Sequence, residues 1–309
     1  MKRIYVALFI VFLLLLSGCT NSIPKDDEKI QVITSLFPQY DFVSQIAKDK
    51  VELTLLLPPG VEAHSFDPTP SQIISITQSD LFIYTNETLE PWIDKIVENV
   101  KSDHPLIVES SLGIQFLESS ETHSQDEETH NELVDPHVWL DPLNAKIMVS
   151  TILDALISVD PANEAFYQSN ADDYLKQLDD LDNEYTTLFE STDNDTIVYG
   201  GHFAFGYLAE RFNLNILSPY TGFSPDSEPT ASAISELIQT INEKNIKIIF
   251  YEELIDPKVA RVISDQTGTE PMLLHGAHNL TPQEMEEGIT YLEIMHENAN
   301  KLRKALSYE

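Results

Sequence analysis

Short apolar runs rich in Val and Ile alternate along this chain with segments whose apolar residues recur every three or four positions. The first pattern belongs to strands buried on both faces and the second to amphipathic helices, so their alternation predicts α/β units on a mostly parallel sheet. In the first half, strands are expected at 30–34, 51–57, 81–84 and 106–108, with helices at 40–47, 71–77, 92–100 and 143–157. In the second half, 196–199, 246–251 and 271–274 read as strands, and 202–212 reads as a helix opened by His202.

One periodicity stands apart from this alternation. Asp160 is a good N-cap, Pro161 suits the first helical position, and Tyr167, Tyr174, Leu178, Leu181, Tyr185 and Leu188 follow on one stripe with no Gly among them. A helix over 161–190 would be roughly 45 Å long, enough to run the length of a two-domain body. The expected architecture is therefore α/β: two parallel-sheet α/β domains, 30–160 and 191–309, joined by one long rigid helix, 161–190, with a cleft between them. Each domain is expected to have its own core. The other reading of the helix is that it packs on one domain alone.

The N-terminus changes the picture of where such a body works. Lys2 and Arg3 precede an apolar run, Val6 to Leu16, that is too short to span a bilayer, so residues 1–18 read as an export signal peptide. The sequence Leu16-Ser17-Gly18-Cys19 resembles the lipobox of bacterial lipoproteins, which makes Cys19 the expected site of lipid attachment and 19–29 a polar tether. Cys19 is the only cysteine, so any metal must be held by His, Asp or Glu.

Charge excludes one class of partner. The formal net charge is −33, from 18 basic and 51 acidic residues, which repels phosphate backbones and rules out nucleic acid. The same balance draws cations toward the surface, although as bulk charge it also serves solubility alone. The segment Glu118 to Asp135 has seven acidic residues, two histidines and no Lys or Arg, and reads as a mobile acidic loop that collects cations loosely or is simply solvated.

The candidate chemistry lies in the histidines, of which there are nine. His64 sits in a Pro- and Gly-rich turn after a strand, His137 between two Asp-Pro steps, His202 after Gly200-Gly201, and His278 just past the last expected strand. Ligands of open α/β sheets collect beyond the carboxyl ends of strands, so two such loops from each domain can converge on the crevice between them. Four imidazoles suit zinc and fill a tetrahedral shell, which leaves no position for an activated water and favours binding over catalysis.

Several longer motifs carry a family resemblance: TSLFPQYDFVSQIA at 34–47, LLPPGVEAHSFDPTPSQI at 56–73, DPHVWLDPLNAK at 135–146, GHFAFGYLAERF at 201–212 and IIFYEE at 248–253. Together they resemble the zinc-specific branch of the metal-binding lipoproteins of ABC importers. The resemblance implies two α/β domains joined by a long helix, one zinc ion between them, and ligands at His64, His137 and His202. In the manganese-specific branch the third position is typically a carboxylate, so His202 favours zinc. Many relatives carry Glu where His278 stands. His278 is the expected fourth ligand, with Glu252 or a water as the alternatives. The partners implied are an ABC permease and its ATPase, with the receptor working as a monomer held at the outer face of the cell membrane.

Other residues take supporting roles in this reading. Glu62, Asp67, Asp135 and Asp141 are candidates to orient the ligand imidazoles. Trp139, Phe66, Phe203 and Phe205 flank the ligands and either dry the site or pack the core. His104, His275 and His296, the last on an exposed C-terminal helix, read as structural. A manganese receptor of the same family and a surface adhesin are the competing functions. A zinc hydrolase is disfavoured, because the nearest run to His-Glu-x-x-His is His296-Glu297-Asn298-Ala299-Asn300 and no Gly-x-Ser-x-Gly elbow is present.

Overall fold

The computed structural model describes residues 29–97, 104–118, 134–192, 194–220 and 228–307. Residues 1–28, which hold the expected signal peptide, Cys19 and the expected tether except Lys29, and positions 119–133 of the acidic loop lie outside them. The first lobe carries strands β1 (Ile30–Thr34), β2 (Val51–Leu55), β3 (Leu81–Tyr84) and β4 (Leu106–Glu109) in the order β2-β1-β3-β4. All its ladders are parallel, and Val32 of β1 pairs with Leu53 on one side and Leu81 on the other. Helices α1 (Phe37–Ala47), α2 (Pro70–Gln78), α3 (Ile93–Val97) and α4 (Pro142–Val159) complete it. Asp141 caps α4 by accepting the Leu143 N–H at 2.8 Å, and Pro142 occupies the first turn. By length and composition alone α4 could cross a membrane, but here it is a core helix packed on α1.

The second lobe repeats the strand order of the first. Its strands β5 (Thr196–Val198) and β6 (Asn215–Leu217) form one parallel pair, and β7 (Ile248–Tyr251) and β8 (Glu270–Leu273) form another. A parallel bridge between Tyr199 and Phe250 joins the pairs, giving β6-β5-β7-β8. Helices α6 (Gly206–Phe212), α7 (Ala231–Lys244), α8 (Lys258–Thr267), α9 (Pro282–Glu287) and α10 (Tyr291–Leu306) surround it.

Between the lobes runs α5 (Glu164–Glu190), 27 residues long and preceded by a short 3-10 turn at Pro161–Asn163. The helix thus starts three residues later than its capping signal predicts. Asp160 makes no capping bond; its carboxylate instead accepts from Asn163 Nδ2 and Tyr167 Oη, both at 2.6 Å. The buried stripe is the expected one, Tyr167, Tyr174, Leu178, Leu181, Tyr185 and Leu188, with Ala171 and Phe189 added. It touches both lobes: Asn170 Nδ2 donates to the Ile46 carbonyl at 2.8 Å, and Tyr185 Oη to the Met295 carbonyl at 2.9 Å.

Three expectations are corrected. The lobes do not have separate cores, because one apolar cluster runs from Val32 and Phe42 through Leu178 and Tyr185 to Phe250 and Leu302. Smaller clusters lie on the outer side of each sheet. His202 does not open a helix; α6 begins four residues later and leaves it in a loop. The C-terminal helix α10 is not an exposed one, since Tyr291, Met295, Asn298, Ala299 and Leu302 bury one face of it.

Candidate metal centre

The four histidines reach one point by four different segments, three of them loops that follow a strand and one that leads into a helix. The turn after β2 carries His64, and the segment Asp135 to Asp141, before α4, carries His137. His202 follows β5, and His278 follows β8 in a loop closed by the capping box of α9, where the Thr281 hydroxyl and Glu284 carboxylate serve each other's backbone N–H. All four offer a ring nitrogen, and these nitrogens lie within 4.8 Å of one another.

The rings are spaced almost evenly. Their six centroid separations are 5.2 Å for His64–His137, 5.1 Å for His64–His202, 5.7 Å for His64–His278, 5.4 Å for His137–His202, 5.0 Å for His137–His278 and 5.5 Å for His202–His278. Four points at nearly equal mutual distances define a tetrahedron, which is the shell zinc takes with nitrogen ligands.

Three of the rings are aimed by a buried carboxylate on Nδ1, which leaves Nε2 facing the centre. Asp135 Oδ1 sits 2.7 Å from His137 Nδ1, Glu253 Oε1 sits 2.9 Å from His278 Nδ1, and the Glu252 carboxylate contacts His202 Nδ1. The Nε2 atoms of His202 and His278 are buried and without a hydrogen-bond partner. Such carboxylate–imidazole pairs fix the tautomer and raise the basicity of a ligating nitrogen.

Space for these carboxylates comes from glycine. A Cβ at Gly206 would fall on Asp135 Oδ2, and one at Gly276 would lie 2.5 Å from His278 Cε1, so neither position accepts a side chain without moving the site. Trp139 is the wall, its ring 5.6 Å from His137 and 5.4 Å from His278, with its indole N–H donated to the Gly276 carbonyl at 2.8 Å.

Burial keeps the site ready for a cation. It pushes His64 down to about 2 and His137 well below the ordinary imidazole value, with the neighbouring histidines adding to the effect. Both therefore present neutral nitrogens, the form that binds metal. His278 goes the other way: burial lowers it, but the bond and charge of Glu253 and the charges of Glu252 and Glu62 together raise it above the ordinary imidazole value. Burial raises Asp135 to about 7, against the bond from the His137 N–H and the charge of His278.

Residues 32–305 match the profile of the family described as zinc-uptake complex component A, periplasmic (ZnuA). The chain belongs to that family. The high-affinity zinc uptake system protein ZnuA of Bacillus subtilis (strain 168) is 34% identical over 302 residues, covering 95% of this chain and 94% of that protein. The zinc-binding lipoprotein AdcA of Streptococcus pneumoniae (strain ATCC BAA-255 / R6) is 29% identical over 313 residues, and there the chain spans 62% of the relative's length. The Zn(II)-bound ZnuA-like domain of Streptococcus pneumoniae AdcA matches with a TM-score of 0.77 at 27% identity, covering 91% of this chain and 100% of that one. The fold is thus the two-domain α/β fold of the ZnuA family, its parallel sheets joined by the long helix.

Within this ZnuA-family frame the structure brings together all four histidines singled out in the sequence, His64, His137, His202 and His278. Of the carboxylates expected to orient them, Asp135 does so. Glu62 binds the backbone N–H groups of His64 and Ser65 at 2.8 and 2.9 Å rather than the ring. Asp141 caps α4 and pairs with Arg211. Glu252, the alternative fourth ligand, backs His202. Glu253 was not singled out, and only its place after a strand, beside Glu252, could have marked it. Of the flanking aromatics Trp139 alone faces the rings; Phe66 packs on Trp92, and Phe203 and Phe205 on Tyr199. His296 binds Glu184 of α5 at 2.6 Å, and His275 accepts the Ala277 N–H at 2.9 Å.

Proposed function

We propose that this chain captures one Zn2+ ion between its lobes through Nε2 of His64, His137, His202 and His278. It then delivers the ion to the permease of an ABC importer driven by its ATPase. In this reading residues 1–18 are removed, Cys19 carries lipid, 19–29 form a tether, and the monomeric receptor works at the outer face of the cell membrane. Zinc is cargo here. The observation that carries the proposal is the near-regular tetrahedron of four imidazoles, three of them backed by buried carboxylates.

Nitrogen donors alone also argue for zinc over manganese, which favours carboxylate and water oxygen. A filled shell leaves no open position to activate water, so the reading is of a receptor and not an enzyme. Metal analysis of the purified mature chain, with a competition titration of zinc against manganese, tests it: one zinc per chain and exclusion of manganese are expected. Equal affinities, or no stoichiometric metal, would overturn it. For the anchor, Cys19→Ser is expected to move the protein from the membrane fraction to the soluble one.

A further inference from the structure

His64 differs from the other three imidazoles in two respects. It is the one that is not fully buried, and among the described residues no carboxylate bonds to its ring. Its aim depends on where its turn, Pro58 to His64, is held. That turn is held by the opposite lobe. Asn279, wholly buried next to His278, donates from Nδ2 to the carbonyls of Pro58 at 2.7 Å and Val61 at 3.0 Å. Its Oδ1 accepts the Leu280 N–H at 2.9 Å, and the Gly60 N–H donates to the Leu280 carbonyl at 2.7 Å beside it. Both amide donors are therefore committed to the His64 turn, and the acceptor to the His278 strand of chain.

We propose that Asn279 is a positioning residue that pins the His64 turn to the second lobe and thereby sets how long a bound metal stays; this rests on the metal-site reading above. Only an amide does this in the available space. A hydroxyl is too short to serve two carbonyls, and a carboxylate of the same shape presents oxygen to two carbonyl oxygens, which repels the turn. With the pin lost, the centre keeps three carboxylate-backed imidazoles and loses its hold on the fourth.

Asn279→Asp is the test, read by chelator-driven zinc release in stopped flow and by X-ray absorption of the zinc-loaded protein. The expected results are zinc release faster by about tenfold or more, an imidazole count falling from four to three, and an unchanged stoichiometry of one zinc. In a His64→Ala background the same substitution should add nothing, because its effect runs through His64. An unchanged release rate, or the same acceleration with and without His64, would overturn the pin. Asn279→Ala, which removes the donors without adding charge, carries the same test if N279D does not fold. The two readings separate cleanly. Undiminished zinc affinity in His64→Ala alone sinks the four-histidine site, whereas weakened H64A beside an unaffected N279D sinks only the role of Asn279.

Discussion

The Nε2 atoms of His64 and His137 stand 3.2 Å apart, although the two residues are 73 positions apart in the chain. Two nitrogens that share a tetrahedral zinc at bond lengths of about 2.0–2.1 Å are separated by about 3.3 Å, so this edge of the centre already has the dimension the ion requires. The rest of the polar machinery around it serves to keep that spacing.

Removing a vertex should therefore be severe. His137→Ala is expected to weaken zinc binding by more than about 100-fold, since loss of a supporting partner alone costs 10- to 100-fold in comparable sites. His296→Ala, whose ring is engaged with Glu184 on α5, should leave the affinity unchanged. Competition titration against a chromophoric chelator measures both.

A supporting carboxylate should rank below a ligand. Glu253 holds the His278 ring at 2.9 Å and accepts the Gly276 N–H at 2.6 Å, so Glu253→Gln leaves the ring in place but weakens its basicity and its aim. The expected loss of zinc affinity is about 10- to 100-fold by the same titration.

Arg211 ties three parts of the molecule together. Its Nη1 lies 3.0 Å from Asp141 Oδ1, at the cap of α4, and 2.5 Å from Asp182 Oδ1 on α5, while its own helix follows the His202 loop. Arg211→Met should lose both charged bonds together with the guanidinium's contact over the Phe212 ring, 4.7 Å from its centroid. A destabilisation of about 2 kcal/mol is expected in urea denaturation of the metal-free protein.

Asp41 gives stability a dependence on pH. Burial raises its pKa from an ordinary 3.8 to about 6, against bonds from Gln45, Tyr174 and the Tyr291 N–H. The folded state thus holds the proton more tightly than the unfolded chain. Its contribution is full below pH 3.8 and is lost as the pH rises through about 6, a change of about 3 kcal/mol. Asp41→Asn keeps an acceptor for Tyr174 Oη and removes the ionisation. Relative to the unsubstituted protein, the variant should gain stability between pH 4 and pH 7. Parallel denaturation curves at the two pH values would show it, and a constant difference would refute it.

Much of this arrangement was legible before the structure. Seven of the eight strands lie where short apolar runs place them, most plainly β3 and β7, which are buried on both faces and carry no charged position to obscure them. The eighth, Asn215–Leu217, is three residues long and opens on Asn, too little pattern to read. The four histidines were legible because each sits in a loop after a strand or beside a helix start. Asp135 was legible as a partner because it lies two positions from His137. Glu253 was not, because it reaches His278 across 25 residues of chain, a relation that only the β7-β8 pairing creates. For the same reason the shared core could not be foreseen: periodicity tells which face of α5 is apolar, not that two different lobes cover it.

The bond from the Trp139 indole to Gly276 has a consequence for traffic. It staples the back of the cleft, just as the shared core staples its flank, so a wide jaw-like opening would have to break both. Entry and exit are then left to the partly buried lip at His64, and a cation arriving from solvent and one departing toward an importer would pass through the same small doorway.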